Sequence, residues 1–372
     1  MNSKKANWIF LITIVLYITA SYVIVFAFPQ VAESALANIL LAEAVILLPI
    51  LITALLSGEK LPQFLGFHKM KISSLFMILL FTILTQPAIT LPNLISQIWV
   101  ENTAVEMMSG FFAGNQSFLG LFFPMAVLAP LCEEMTCRGA YYGSYKRSGR
   151  NLGAALLSAA VFAMIHLNFN QAGYAFVMGI LAVLLVEATG SLWSSVLYHG
   201  LINGSQVILM YTILSNNEDF YAQQMEMITT DTMLYTIGAY LVLTAVTLPL
   251  AWAVLVWIGK NQGRSVEFQM LWKRSKQKKD KLITLPVIGD PWTCPLRSGY
   301  DGNFAAADRK PAAEVLNSHI KIASHIRVYR KLHGRTTDHI DQSCSCAFRI
   351  FKGFVKYGKA HFIIQLNARE CG

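Results

Sequence analysis

The 372-residue chain is 55% hydrophobic and only 14% charged, with a mean hydropathy of +0.47. A soluble domain carries about a quarter charged residues, so this composition excludes an ordinary soluble protein and points to a polytopic membrane protein. The formal charge of +9 resolves into a net of −2 over residues 1–263 (10 Lys+Arg, 12 Asp+Glu) and +11 over residues 264–372 (20 against 9), so the basicity belongs to the tail and gives no ground for a nucleic-acid partner.

Lys4 and Lys5 precede an apolar run from Trp8 to Phe28. The run is longer than a signal-peptide core and reads as an uncleaved first transmembrane helix. Segments of about 20 apolar residues span a bilayer, and eight such segments follow one another: 7–28, 35–57, 72–98, 117–143, 152–168, 172–189, 191–214 and 232–259. The expected fold class is all-α, a polytopic transmembrane helix bundle of about eight spans. Glu43 stands alone in the second segment. Pro87 and Pro92 interrupt the third, which is expected to kink, with Gln86 satisfying backbone groups freed there. The fifth and sixth are short, to be tilted or shielded by other helices. Glu187, near the end of the sixth, is expected to reach the interface.

Loop charges set the orientation. Lys4 and Lys5 place the N-terminus in the cytoplasm. Glu33 lies outside, and Lys60, Lys69 and Lys71 inside. Glu101 and Glu106 are outside, and Lys146, Arg147 and Arg150 inside. Glu218, Asp219, Glu226 and Asp231 are outside, and Lys260, Arg264, Lys273 and Arg274 inside. The alternation predicts an even number of spans with both termini cytoplasmic. Residues 1–263 form the membrane-embedded domain, with a motif core at 117–210. Residues 264–372 read as a basic cytoplasmic tail whose start, 273–281, suits an anionic leaflet. Beyond residue 289 that tail is either flexible or written in a diverged reading frame, and no chemistry is assigned to it.

The six cysteines include no CxxC pair, so neither a zinc ribbon nor a disulfide framework is indicated. The end, Glu370-Cys371-Gly372, is not a prenylation box.

The fourth segment holds Glu133-Glu134 with Arg138 in an otherwise apolar helix. Carboxylates at membrane depth are costly and mark functional sites by default. Successive helical residues point about 100° apart, so the two glutamates face different ways. Glu134 and Arg138 are i, i+4 partners, which leaves Glu133 free to face a cavity. A desolvated carboxyl beside another can hold or take a proton near neutrality. His166 is the only ionisable residue of the fifth segment, and imidazole can orient or deprotonate water. His199 and Asn203 are i, i+4 on the seventh, where an imidazole and a carboxamide can together stabilise an oxyanion.

Each feature also has a plainer reading. A lone histidine can hydrogen-bond a neighbouring helix, a Glu–Arg pair can be structural glue, and His199-Asn203 can be an interhelical clasp. Cys137, i+4 from Glu133, reads as packing rather than a nucleophile, because apolar burial suppresses the thiolate. The joint occurrence on three spans favours a converging site.

Glu133-Glu134-x-x-x-Arg138, Phe162-x-x-x-His166 and His199-x-x-x-Asn203, in that order, resemble the three motifs of the CPBP (CAAX protease and bacteriocin-processing, Abi) intramembrane proteases, which include the type II CAAX prenyl endopeptidases. The resemblance covers residues 117–210. It departs only at Cys137, where the family has an aromatic residue. It implies an eight-helix bundle with a conical cavity and an endopeptidase that cuts a membrane-associated peptide or protein. Glu133 and His166 would activate water, His199 and Asn203 would hold the oxyanion, and Glu134 and Arg138 would support them. The family has also been described as metalloproteases, so zinc at Glu133, His166 and His199 is the alternative. The chain has no HExxH, and a metal-free glutamate mechanism is preferred. The expected partners are membrane lipid and a peptide or protein substrate, with no nucleic acid. The expected location is the cell membrane, a prokaryotic plasma membrane being favoured. Two other classes remain open: a proton-coupled transporter using Glu133 and His166 as a relay, and a non-catalytic scaffold or immunity protein.

Overall fold

The computed structural model describes residues 1–32, 34–58, 60–100, 117–216, 230–273 and 281–284. The loop acids Glu33, Glu101, Glu106, Glu218, Asp219 and Glu226, most of the basic 273–281 stretch, and the tail from 285 onward lie outside these residues. No strand occurs among the described residues.

Among the described residues, eight helices lie at the eight expected places. They are α1 (Ser3–Ala27), α2 (Ala35–Ser57), α3 (Ile72–Ser96), α4 (Phe118–Lys146), α5 (Asn151–Ile165), α6 (Phe169–Thr189), α7 (Leu192–Asn216) and α8 (Thr230–Asn261). Six of them, α1, α2, α3, α4, α6 and α8, are long and apolar enough to cross a membrane, and α5 is a shorter apolar helix. Large apolar side chains stand exposed along the outer helices, among them Leu55 and Leu56 on α2, Phe76 and Ile83 on α3, and Val242 and Val246 on α8. A water-soluble protein does not leave patches of this extent uncovered, whereas a bilayer covers them. The chain is a multi-pass helical membrane protein.

Local chemistry sets the helix ends. The Asn2 side chain accepts from the Lys5 N–H at the start of α1, and Ser34 accepts from Ala37 N–H at the start of α2, as N-caps do. Asn168 accepts from the N–H groups of Asn170 and Gln171 to open α6. α2 and α6 stop at Gly58 and Gly190, both with left-handed backbone. At Gly190 a Cβ would also lie 2.8 Å from the Arg264 guanidinium.

α6 is the hub, packed against α3, α5, α7 and α8. The start of α3 is tied to the end of α8. Asn261 Nδ2 donates to Ser73 Oγ and Ser74 Oγ, and Lys71 Nζ donates to the Asn261 carbonyl. The loop before α3 is pinned to the start of α7, where Leu192 N–H donates to the Gly66 carbonyl and Ser191 Oγ donates to that of His68.

Two local expectations change, at Gln86 and Glu187. α3 runs as one helix through Pro87 and Pro92. Its proline face is held by neighbours, with Pro92 against Gly173 of α6, and helices packed this way tolerate proline. Gln86 Nε2 reaches Ser205 Oγ of α7 at 3.4 Å rather than backbone of its own helix. Glu187 is buried instead of interfacial. Its Oε1 accepts from Tyr142 OH at 2.9 Å and from Lys146 Nζ at 2.5 Å, so the lysine reaches inward to the acid.

Candidate active site

α4 carries the two glutamates on a helix wound in an unusual way. Pro124–Leu128 and Met135–Tyr142 are π-helical, and Ala129–Glu134 between them is α-helical. Wide turns of this kind recur at functional sites because they re-aim side chains. The first is linked to proline. Ala129 N–H bonds the Pro124 carbonyl five residues back. In that register the Met125 carbonyl faces Pro130, which has no N–H. Asn203 of α7 supplies the missing donor, its Nδ2 lying 3.0 Å from the Met125 carbonyl. One turn earlier on α7, a Cβ at Gly200 would meet the Ala126 carbonyl at 2.7 Å. Glycine there lets the α7 backbone lie directly on α4.

That contact brings His199 onto both glutamates. Its Nδ1 is 3.0 Å from Glu134 Oε1 and its Nε2 is 3.7 Å from Glu133 Oε2. A carboxylate only accepts, so Nδ1 carries the proton. Arg138 Nη1 donates to the same Glu134 oxygen at 2.8 Å, and both side chains are fully buried. The i, i+4 pair read from the sequence is therefore present, and it is shared with a second helix through His199. The Glu133 side chain retains 13% exposure.

His166 caps the end of α5. Its Nδ1 is 2.8 Å from the Phe162 carbonyl. A carbonyl only accepts, so the neutral ring has its proton on Nδ1 and a free lone pair on Nε2. Leu167, the next residue, has φ 47°, a left-handed conformation that costs a non-glycine residue about 1 kcal/mol or more. The strain is held by the tight His166-Leu167-Asn168 link into α6.

Phe162 is the residue that sequence reasoning passed over as a candidate. Arg138 Cζ sits 4.2 Å from its ring centroid. The His166 ring meets it edge-on at 4.8 Å, and the His199 ring at 5.6 Å. One aromatic ring thus positions the cation of α4 and the imidazoles of α5 and α7. Its i, i+4 spacing from His166 was the available signal. Glu43 of α2 is also buried, and its helix packs against the part of α4 that carries Glu133. Cys137 is buried in the core, and its carbonyl accepts from Ser158 Oγ at 2.8 Å.

Residues 115–205 match the family model of the type II CAAX prenyl endopeptidase Rce1-like proteins. The matched segment is similar to that family and spans about a quarter of the chain. It runs from the start of α4 to the middle of α7 and contains Glu133, Glu134, Arg138, Phe162, His166, His199 and Asn203. No curated protein and no solved structure matches the chain. The CAAX-protease segment supports an intramembrane CAAX-type protease activity in general terms. Glu43, on α2, lies outside it.

The segment's donors can be tested for a metal. Among the described residues no three His, Cys, Asp or Glu side chains are grouped to hold a metal ion. Glu134 is paired with the Arg138 cation, and each imidazole is hydrogen-bonded through Nδ1 and keeps Nε2 free.

Proposed function

We propose that the protein is a metal-free intramembrane endopeptidase that hydrolyses a peptide bond in a membrane-associated peptide or protein. The observation that carries this reading is the gathering of Glu133, His199 and His166 around one buried Glu134–Arg138 pair and one aromatic ring.

Glu133 is the base. It accepts a proton from water as the water oxygen forms a bond to the peptide carbonyl carbon, and the carbonyl π pair moves to oxygen. His199 stabilises that oxyanion as an imidazolium, with Nδ1–H held by ionised Glu134 and Nε2–H left to donate. Asn203 has two amide hydrogens. One holds the Met125 carbonyl and the other is available to the oxyanion. His166 Nε2 accepts a hydrogen bond from the same water and so orients it for Glu133, then takes the abstracted proton from Glu133 and passes it to the leaving amine as the C–N bond breaks. Arg138 keeps Glu134 ionised and does not touch substrate. The substrate belongs to the membrane proteome, and in a bacterial plasma membrane, the favoured location, it would be a peptide or envelope protein rather than a prenylated one.

Elemental analysis of the purified protein, paired with cleavage of a membrane peptide in liposomes before and after chelation, tests the reading. The expected result is cleavage without stoichiometric zinc and no loss on chelation. Zinc at one equivalent whose removal stops cleavage contradicts the metal-free mechanism. Proton flux without cleavage contradicts the protease.

A further inference from the structure

His166 ends α5, and only Leu167 separates it from Asn168, the cap of α6. Leu167 carries φ 47°. A non-glycine residue holds that backbone state only where its surroundings over-determine it. On one side of Leu167 the restraint is local. Asn168 Oδ1 accepts from the N–H groups of Asn170 and Gln171 at 2.9 and 3.3 Å, and the Asn168 carbonyl accepts from Ala172 N–H at 2.9 Å. The link is thereby tied to the first turn of α6.

That first turn is gripped by the far end of α3. Asn170 is fully buried. Its Nδ2 donates to Ser96 Oγ at 2.8 Å, and its Oδ1 accepts from Asn93 Nδ2 at 3.2 Å. Ser96 Oγ spends its own proton on the Asn93 carbonyl at 2.8 Å, which leaves its lone pairs for Asn170. Gln97 Nε2 donates to Asn93 Oδ1 at 2.6 Å and so fixes which way the Asn93 amide is turned. Asn93, Ser96 and Gln97 share one face of α3 by their spacing. Three residues along α6, a Cβ at Gly173 would lie 3.3 Å from Pro92 Cβ, so the two helices meet closely beside the polar cluster. Hydrogen bonds are directional, and a buried carboxamide bonded at both its oxygen and its nitrogen fixes an orientation that apolar packing alone leaves loose. Asn93, Ser96 and Gln97 all lie outside the family-matched residues 115–205.

We infer that Asn170 is a positioning residue for His166, anchored on Asn93, Ser96 and Gln97 of α3. The anchor holds the first turn of α6, Asn168 carries the restraint to Leu167, and the left-handed turn at Leu167 sets where His166 ends α5. The imidazole then keeps Nδ1–H on the Phe162 carbonyl at 2.8 Å and its edge contact with the Phe162 ring at 4.8 Å. Asn170 acts through this link and not on substrate. Its effect on turnover rests on the endopeptidase reading, whereas its control of the His166 ring does not.

The test is nitrogen NMR of the full chain, labelled with 15N-histidine in liposomes, together with cleavage of a membrane peptide. His166→Gln identifies the His166 signals. In the wild type they report a neutral ring protonated on Nδ1, the tautomer set by the bond to the Phe162 carbonyl. Asn170→Leu, similar in size but unable to bond, moves them toward the tautomer mixture of a free imidazole and leaves the His199 signals in place. It lowers kcat by about 10²-fold with KM unchanged. Ser96→Ala moves the His166 signals the same way and lowers kcat by about 10-fold. Ser96→Thr, which keeps the hydroxyl, restores both. Should Asn170→Leu fail to fold, the Ser96 pair carries the decision. His166 signals unchanged in folded Ser96→Ala, or equal defects in Ser96→Ala and Ser96→Thr, overturn the positioning role. Signals that move as expected while the wild type cleaves nothing sustain the anchor and remove the protease reading.

Discussion

Arg138 shows how much one side chain holds. Its guanidinium bonds Glu134 and lies on the face of Phe162. Removing one partner of a fully buried ion pair costs about 3–5 kcal/mol, because the other charge is stranded. Arg138→Ala is therefore expected to lower the unfolding midpoint in detergent sharply. Arg138→Lys is expected to recover only part of the loss, because an ammonium cannot stack as a planar fork does. A melting curve unchanged by Arg138→Ala contradicts this account of the pair. The pair was legible in the sequence because i, i+4 spacing alone places it. The Glu134–His199 bond was not, because it joins residues 65 positions apart and no local pattern records such a distance. Glu43 was visible as an anomaly, an acid alone in hydrocarbon, and its burial where α2 packs on α4 was not.

At the scale of the element, α4 and α7 act as one unit. Pro130 withholds a donor from α4, and Asn203 replaces it. Gly200 removes the side chain that would hold the helices apart. Gly200→Ala places a methyl group 2.7 Å from a backbone oxygen, and a backbone atom cannot swing aside. Overpacking of this kind costs about 1–3 kcal/mol. The expected outcome is a fold that still forms but with His199 displaced, seen as a modest loss of thermal stability and a larger loss of cleavage. Wild-type activity in Gly200→Ala contradicts it. The helix positions were readable from hydropathy, and all eight segments are helical. The winding of α4 was not, because periodicity carries no record of which carbonyl bonds which amide. Pro87 and Pro92 each mark a missing backbone bond, and α3 stays helical through both.

At the scale of the whole molecule, apolar side chains face outward on α1, α2, α3 and α8, and the polar groups gather inward where α2, α4, α5 and α7 meet. A bilayer rewards that inversion, since it solvates hydrocarbon and leaves charge no partner but other protein groups. The loop charges predict that both termini are cytoplasmic. Membrane-impermeant labelling of single cysteines placed at residues 2 and 262, in a variant lacking native cysteines, checks this. Both sites should be blocked from outside in intact cells, and labelling of either from outside contradicts the topology. The central claim, that Glu133 and His166 activate water for peptide hydrolysis, is tested most directly by single-turnover cleavage with wild type, Glu133→Ala and His166→Ala, each checked for a folded helical spectrum in the same detergent. The account predicts a fall of at least about 10²-fold in each variant with the fold retained, and full cleavage by both folded variants would contradict it.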